Sequence, residues 1–186
     1  LFRSQVVHLD APLRNPGALS IRVVAHSLAC LNRYTGHAVR PVSVAEHSLL
    51  VCDIVERELH LGVHAQLAAL LHDAHECVTN DIASPAKPLL GEAWRSYEAE
   101  WEHAMHTLYA LRPAFALYGA DIRRADSAPG TLRVFCQSAP PLAHVDVLAR
   151  GRAALVEAIE LLISTAATVR GRAMRSCAVT RRCESR

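Results

Sequence analysis

The sequence predicts an all-α fold, a helical bundle, and three observations carry that expectation. Apolar residues recur at intervals of three and four along several segments, the spacing of one buried helix face. No segment sustains the apolar–polar alternation of a strand, and no internal repeat is present. The Gly and Pro residues cluster between the periodic segments. With 186 residues, 51% hydrophobic and 20% charged, the chain makes one domain, or one domain and a short tail. Such a length buries roughly 70% of the unfolded surface, so a full core forms without disulfide staples. The composition excludes a disordered chain and a coiled coil. No apolar run reaches the roughly 18–20 residues that a membrane span requires.

Residues 1–19 hold Pro12, Pro16 and Gly17 without a period and read as an extended lead-in. Ser20 is positioned to cap a helix to about Arg33, with Val23, Val24, Leu28 and Leu31 on one side. Gly36 and Pro41 mark a turn over 34–41. Ser43-Val44-Ala45-Glu46 fits a capping box, and its helix runs to about His60 with Val44, His47, Val51, Ile54 and Val55 on one face. Gly62 separates this from a helix over about 63–77, with Leu67, Leu70, Leu71 and Ala74 inward. Pro85, Pro88 and Asn80-Asp81 make 78–91 a loop. Tyr97, Trp101, Ala104 and Leu108 then predict a helix over about 92–111, ended by Pro113. One or two shorter helices fit 114–136, and a long helix beyond Pro140-Pro141 runs to about Val169, with Gly151 as a kink site. Residues 170–186 carry six arginines and little apolar content, so a solvated tail is expected after a domain of 20–169.

Lys+Arg of 20 against Asp+Glu of 18 gives a net charge of +2, which is no basis for bulk nucleic-acid binding. Lys87 is the single lysine, set in the Pro-rich loop. The six cysteines contain no CxxC pair, and no basic start with an apolar run and cleavage site is visible, although the first residue is Leu1 rather than Met. A reducing, cytoplasmic setting is therefore expected. Eleven histidines are many for this length and point to metal or phosphate chemistry.

The chemistry concentrates on His72-Asp73. Glu76 stands one helical turn beyond both, and the flanking sequence is Leu-Ala-Ala-Leu-Leu, Ala74 and Cys77. Ionisable groups buried among leucines need partners, and a divalent cation is one that serves all of them. His47 lies on the buried face of the preceding helix, between Val44 and Val51. Spacing alone leaves two readings open: a metal site, or core histidines bonded to backbone carbonyls.

Six segments, in order, add a resemblance covering about residues 20–130. They are Asn32-Arg33-Tyr34, Val44-Ala45-Glu46-His47-Ser48, Leu71-His72-Asp73-Ala74-His75-Glu76, Thr79-Asn80-Asp81, Ser84-Pro85-Ala86-Lys87 and Arg124-Ala125-Asp126. The chain thereby resembles the HD-domain metal phosphohydrolases, and among them the bacterial and phage 5′-deoxynucleotidase-like proteins. The resemblance implies a helical bundle with a single central metal site, ligated by His47, His72, Asp73 and Asp126. Asp121 and Asp146 compete for the fourth place; Asp121 reads better as a helix cap. Two imidazoles and two carboxylates favour Mn²⁺, Co²⁺ or Zn²⁺ and are compatible with Mg²⁺. The resemblance makes Glu76 and Asp81 the candidates for orienting or deprotonating water. Arg33 and Lys87 would hold phosphate, Ser84 would donate to it, and Tyr34 would lie against sugar or base. His37 sits in a turn that is able to reach the leaving group.

The chain departs from that pattern where Asn80 replaces a glycine, Tyr34 replaces a tryptophan, and Ser127-Ala128-Pro129-Gly130 follows the last ligand. His75, in a variable slot, is placed to act behind the ligands. The resemblance implies hydrolysis of deoxynucleotides, with phosphate release from monophosphates as the first expectation. Triphosphohydrolase activity and a catalytically inactive nucleotide-binding module are the alternatives. It further implies a homo-oligomer with a small-molecule substrate; the apolar runs and the charge balance lead to the expectation of no membrane association and no stable nucleic-acid partner.

Overall fold

Six helices lie between residues 21 and 126: α1 (Ile21–Cys30), α2 (Val44–Arg57), α3 (Val63–Leu70), α4 (Glu76–Thr79), α5 (Gly91–Leu108) and α6 (Arg112–Asp126). The computed structural model describes residues 6–36, 40–127, 153, 155–157 and 160. Among these, Asn32 and Ser43 form an isolated antiparallel bridge, no strand is present, and the fold is all-α. Short 3-10 turns at Pro16–Leu19, Arg33–Gly36 and Lys87–Leu90 complete the connections. No described helix is long and apolar enough to cross a membrane.

α3 occupies the centre, packed against both α2 and α6. Its sequence suits that place, because Ala65, Leu67, Ala68, Ala69 and Leu70 are all buried and the alanines admit close neighbours. α2 starts where the capping box predicts: the Glu46 N–H donates to Ser43 Oγ at 3.1 Å. The Glu46 carboxylate takes Arg40 instead of returning to the Ser43 backbone. α2 buries Val44, His47, Val51, Ile54 and Val55, the face that the periodicity marks. α5 buries Trp101 and Met105 against the core that includes Val24, Leu28, Leu70 and Leu71, with Tyr97 and Leu108 half-buried beside them and Ala104 also buried. α6 carries Pro113 in its first turn and buries Ala114, Ile122 and Ala125 against Val51 and Val55.

Several expectations need correction. The helix expected over 63–77 is broken. α3 ends at Leu70, Leu71 takes φ −113° and ψ 13°, and residues 71–75 form turns before α4. Three-residue hydrogen bonds wind this stretch, from the Ala74 N–H to the Leu71 carbonyl and from the Glu76 N–H to the Asp73 carbonyl. One physical reason is visible. His72 Nδ1 bonds the Ala69 carbonyl at 2.7 Å, the acceptor that a continuing helix offers to the Asp73 N–H. α1 stops at Cys30, Ser20 makes no side-chain cap bond, and Val23 is exposed. The 78–91 loop contains the end of α4 and a 3-10 turn. Asp121 lies inside α6, paired with Arg124 one turn on, and caps nothing. Asp146, most of the helix expected to Val169, and the arginine-rich 170–186 lie outside the described residues; of that helix, Leu155 is helical and buried in the core.

Candidate metal centre

The site forms where α2, the turn after α3 and the end of α6 meet. His47 projects from the buried face of α2, and His72 and Asp73 sit in the 71–75 turn. Asp126 is the last residue of α6. The break after α3 brings His72 and Asp73 together: His72 Nε2 lies 3.1 Å from Asp73 Oδ2. On an unbroken helix, adjacent side chains diverge by about 100°.

His47 Nε2, His72 Nε2 and an Asp73 carboxylate oxygen lie within 4.8 Å of one another, a His-His-Asp group able to hold a metal ion. The two Nε2 atoms are 3.3 Å apart. Asp126 Oδ1 joins them at 2.9 Å from His47 Nε2 and 3.8 Å from His72 Nε2. Donor atoms bound at about 2.1 Å to one cation stand roughly 3.0 Å apart at right angles and roughly 3.4 Å apart in a tetrahedron. The separations here, 2.9–3.8 Å, bracket that band. The bond from His72 Nδ1 to the Ala69 carbonyl requires Nδ1 to carry a hydrogen, so Nε2 is the ring nitrogen turned to the centre and the one a metal would take on displacing its proton. The residues present therefore fit a divalent ion.

The electrostatics lean the same way. Burial works against a charged His72, but Asp73 and Asp126 outweigh it and push its pKa up to about 10. Burial alone would raise Asp73 and Asp126; the facing histidines hold both well below the ordinary carboxylate range. His47 is pushed down by burial against the pull of Asp126. Two carboxylates directed at two imidazole nitrogens make a pocket that favours a cation.

The other expected residues surround this group. Glu76, at the start of α4, is buried with Oε2 lacking a hydrogen-bond partner among the described residues. Burial, then Asp73 and Asp81, push its pKa up to about 9. Asp81 Oδ2 lies 3.8 Å from Arg33 Nε. Asn80, at the end of α4, takes φ 64°, so it accepts the left-handed turn where the resemblance expects glycine. Arg33 points at the carboxylates: Nη1 donates to Asp73 Oδ2 at 3.0 Å. Its guanidinium carbon is 5.7 Å from the Tyr34 ring centroid, so Tyr34 lies beside the arginine. Lys87 is tied to α5, with Nζ 2.7 Å from Glu98 Oε1. Ser84 is exposed on the loop, and His37 lies outside the described residues.

Sequence reasoning did not single out Glu98. It lies four residues after Trp94 on an otherwise ordinary amphipathic helix, and no short spacing links it to Lys87. His75 is buried with Nδ1 unpartnered among the described residues, in the field of Asp73, Glu102 and Glu98.

No protein-family model matches the chain. An uncharacterized protein of Rhodobacter capsulatus is 36% identical over 127 residues, which cover 67% of this chain and 63% of that protein. The uncharacterized protein YfdR of Escherichia coli K12 is 30% identical over 102 residues, 55% of this chain and 53% of its own. The chain thus spans about six-tenths and about half of the length of these two relatives.

Proposed function

We propose that the chain is an HD-type metal-dependent phosphohydrolase that releases phosphate from deoxynucleoside 5′-monophosphates. The observation that carries this reading is the convergence of His47 Nε2, His72 Nε2 and Asp73 Oδ2 at 3.1–3.5 Å from one another, with Asp126 Oδ1 2.9 Å and 3.8 Å from the two histidine nitrogens. Glu76 and Arg33 stand against the same group. His47, His72, Asp73 and Asp126 would hold the ion. When bound, a divalent cation supplies a Lewis acid that acidifies a water and offsets charge on a phosphoryl oxygen.

The chain's own residues do the rest. His72, locked by the Ala69 carbonyl, keeps its donor nitrogen aimed at the centre. Glu76, buried beside the group, is placed to take the proton of the attacking water and pass it to the departing sugar oxygen, with Asp81 as the alternative. Arg33 offers its planar fork to two phosphate oxygens, and Lys87 adds a point charge from the loop. Tyr34 steadies the arginine and borders the sugar. α4 and the buried faces of α2 and α3 exclude bulk water from the inner side, which strengthens each of these interactions.

The experiment is direct: incubate the protein with Mn²⁺ or Co²⁺ and a panel of deoxy- and ribonucleoside mono-, di- and triphosphates. Phosphate from deoxynucleoside monophosphates supports the reading. Release of triphosphate from deoxynucleoside triphosphates alone moves the activity to triphosphohydrolysis. No turnover of any member, with metal bound, replaces the enzyme by a binding module.

A further inference from the structure

Arg33 contacts the very atoms that complete the metal-ligating set. Nη1 donates to Asp73 Oδ2 at 3.0 Å, and Nη2 lies 3.9 Å from Asp126 Oδ1. Those same oxygens face His47 Nε2, at 3.5 Å and 2.9 Å. A fixed positive charge at this distance lowers the negative potential that attracts a second cation. Asp73 Oδ2 is asked to serve a guanidinium and a metal at once.

The backbone holds Arg33 in this position. Its N–H donates to the Val42 carbonyl at 2.8 Å, and Asn32 bridges Ser43, so Arg33 is registered against the start of α2, the helix of His47. On its other side Tyr34, Thr35 and Gly36 take φ of 57°, 52° and 81° in succession. A β-branched threonine in the left-handed region is strained, and such strain persists only where the surroundings impose it. The side chain is 16% exposed, so it is not wholly shut off from solvent.

We propose that Arg33 couples metal binding to oxyanion binding: it competes with the divalent cation for Asp73 and Asp126, and a phosphate relieves that competition by drawing the guanidinium away. This rests on the metal-centre reading above. Coupling of this kind is reciprocal, so phosphate tightens the metal by the factor with which the metal tightens phosphate. The opposite arrangement, in which Arg33 merely orients Asp73 for the metal, predicts the opposite sign when the arginine is removed.

The test is calorimetric titration of the full chain with Mn²⁺, with and without saturating inorganic phosphate. It compares the natural sequence with Arg33→Gln and with Arg33→Met, which keeps the stem volume should the first fail to fold; circular dichroism checks the helices. In the absence of phosphate, the folded uncharged variants should bind Mn²⁺ about tenfold more tightly than the natural chain, within the usual range of coupling between sites. Phosphate should tighten Mn²⁺ binding to the natural chain by a larger factor than it does in the variants. An unchanged or weaker Mn²⁺ affinity in the uncharged variants overturns the competition. A natural chain that binds no Mn²⁺ overturns the metal centre and this proposal together. One that binds Mn²⁺ with an affinity indifferent to Arg33 overturns this proposal alone.

Discussion

Glu76→Gln should stabilise the metal-free protein while removing its chemistry. Glu76 is 4% exposed. Burial, reinforced by Asp73 and Asp81, moves its pKa from 4.5 to about 9. A carboxyl whose folded pKa lies above its unfolded one adds stability that is complete below the unfolded value. That stability is lost as pH rises through the folded value. Between 4.5 and 7 the unfolded chain gains a charge that the folded chain refuses, over about 2.5 pH units at 1.36 kcal/mol each, or about 3 kcal/mol by pH 7. Glutamine has the same shape and never ionises, so it escapes that loss. In buffer with a chelator, the variant's advantage should be small near pH 4.5, reach up to about 3 kcal/mol at pH 7 and level off near pH 9. At this chain length about 3 kcal/mol corresponds to a Tm rise of roughly 6–12 °C. Urea unfolding of both proteins from pH 4.5 to 9 measures it. A stability difference that stays flat across that range would refute the claim that Glu76 is held neutral by its surroundings.

Four further outcomes follow from the same geometry. Glu76→Ala should leave Mn²⁺ binding intact and slow phosphate release by roughly 10²-fold or more, the scale of a lost acid–base group; unchanged turnover moves that role to Asp81. Asp73→Ala should lose metal and turnover together, read by calorimetry and by phosphate release, because Asp73 Oδ2 faces both histidine nitrogens. Arg33→Lys should lower kcat/KM by a similar factor for every base, since a lysine keeps the charge and loses the fork. Tyr34→Ala should change the order of the bases or the deoxy-to-ribo ratio, and the reverse pattern would exchange the two roles.

The helices were legible where one face is apolar and the other polar. α2 is the clearest case: the capping box located its start and the period located its buried face, His47 included. α5 was equally readable from Tyr97, Trp101, Ala104 and Leu108. α3 was readable only in part, because its last turn, Leu67–Leu70, is apolar and buried all round and offers no polar position to mark where the helix stops. Asp121 shows the limit of residue preference. Aspartate favours caps, but a partner one turn away, here Arg124, settles it inside a helix. Lys87 with Glu98 is a tertiary pairing between a loop and a helix, which no local spacing encodes.

The expected residues of the centre come together in space, yet the feature that assembles them was misread. A straight helix through 63–77 would give His72 and Asp73 directions about 100° apart, and only one of the pair would face His47 squarely. The observed break resolves this conflict. Leu71 leaves the helical region, the next residues wind with three-residue bonds, and both side chains come to bear on one point. The histidine takes part in the break, since its Nδ1 takes the Ala69 carbonyl that regular helix would use. A His-Asp dipeptide is thus a statement about backbone as well as about ligands. The imidazole ends the helix, and the end of the helix turns the carboxylate inward. That dependence explains why periodicity, which assumes an unbroken axis, places the start of this helix and its ligands but runs the helix through the break that aims them.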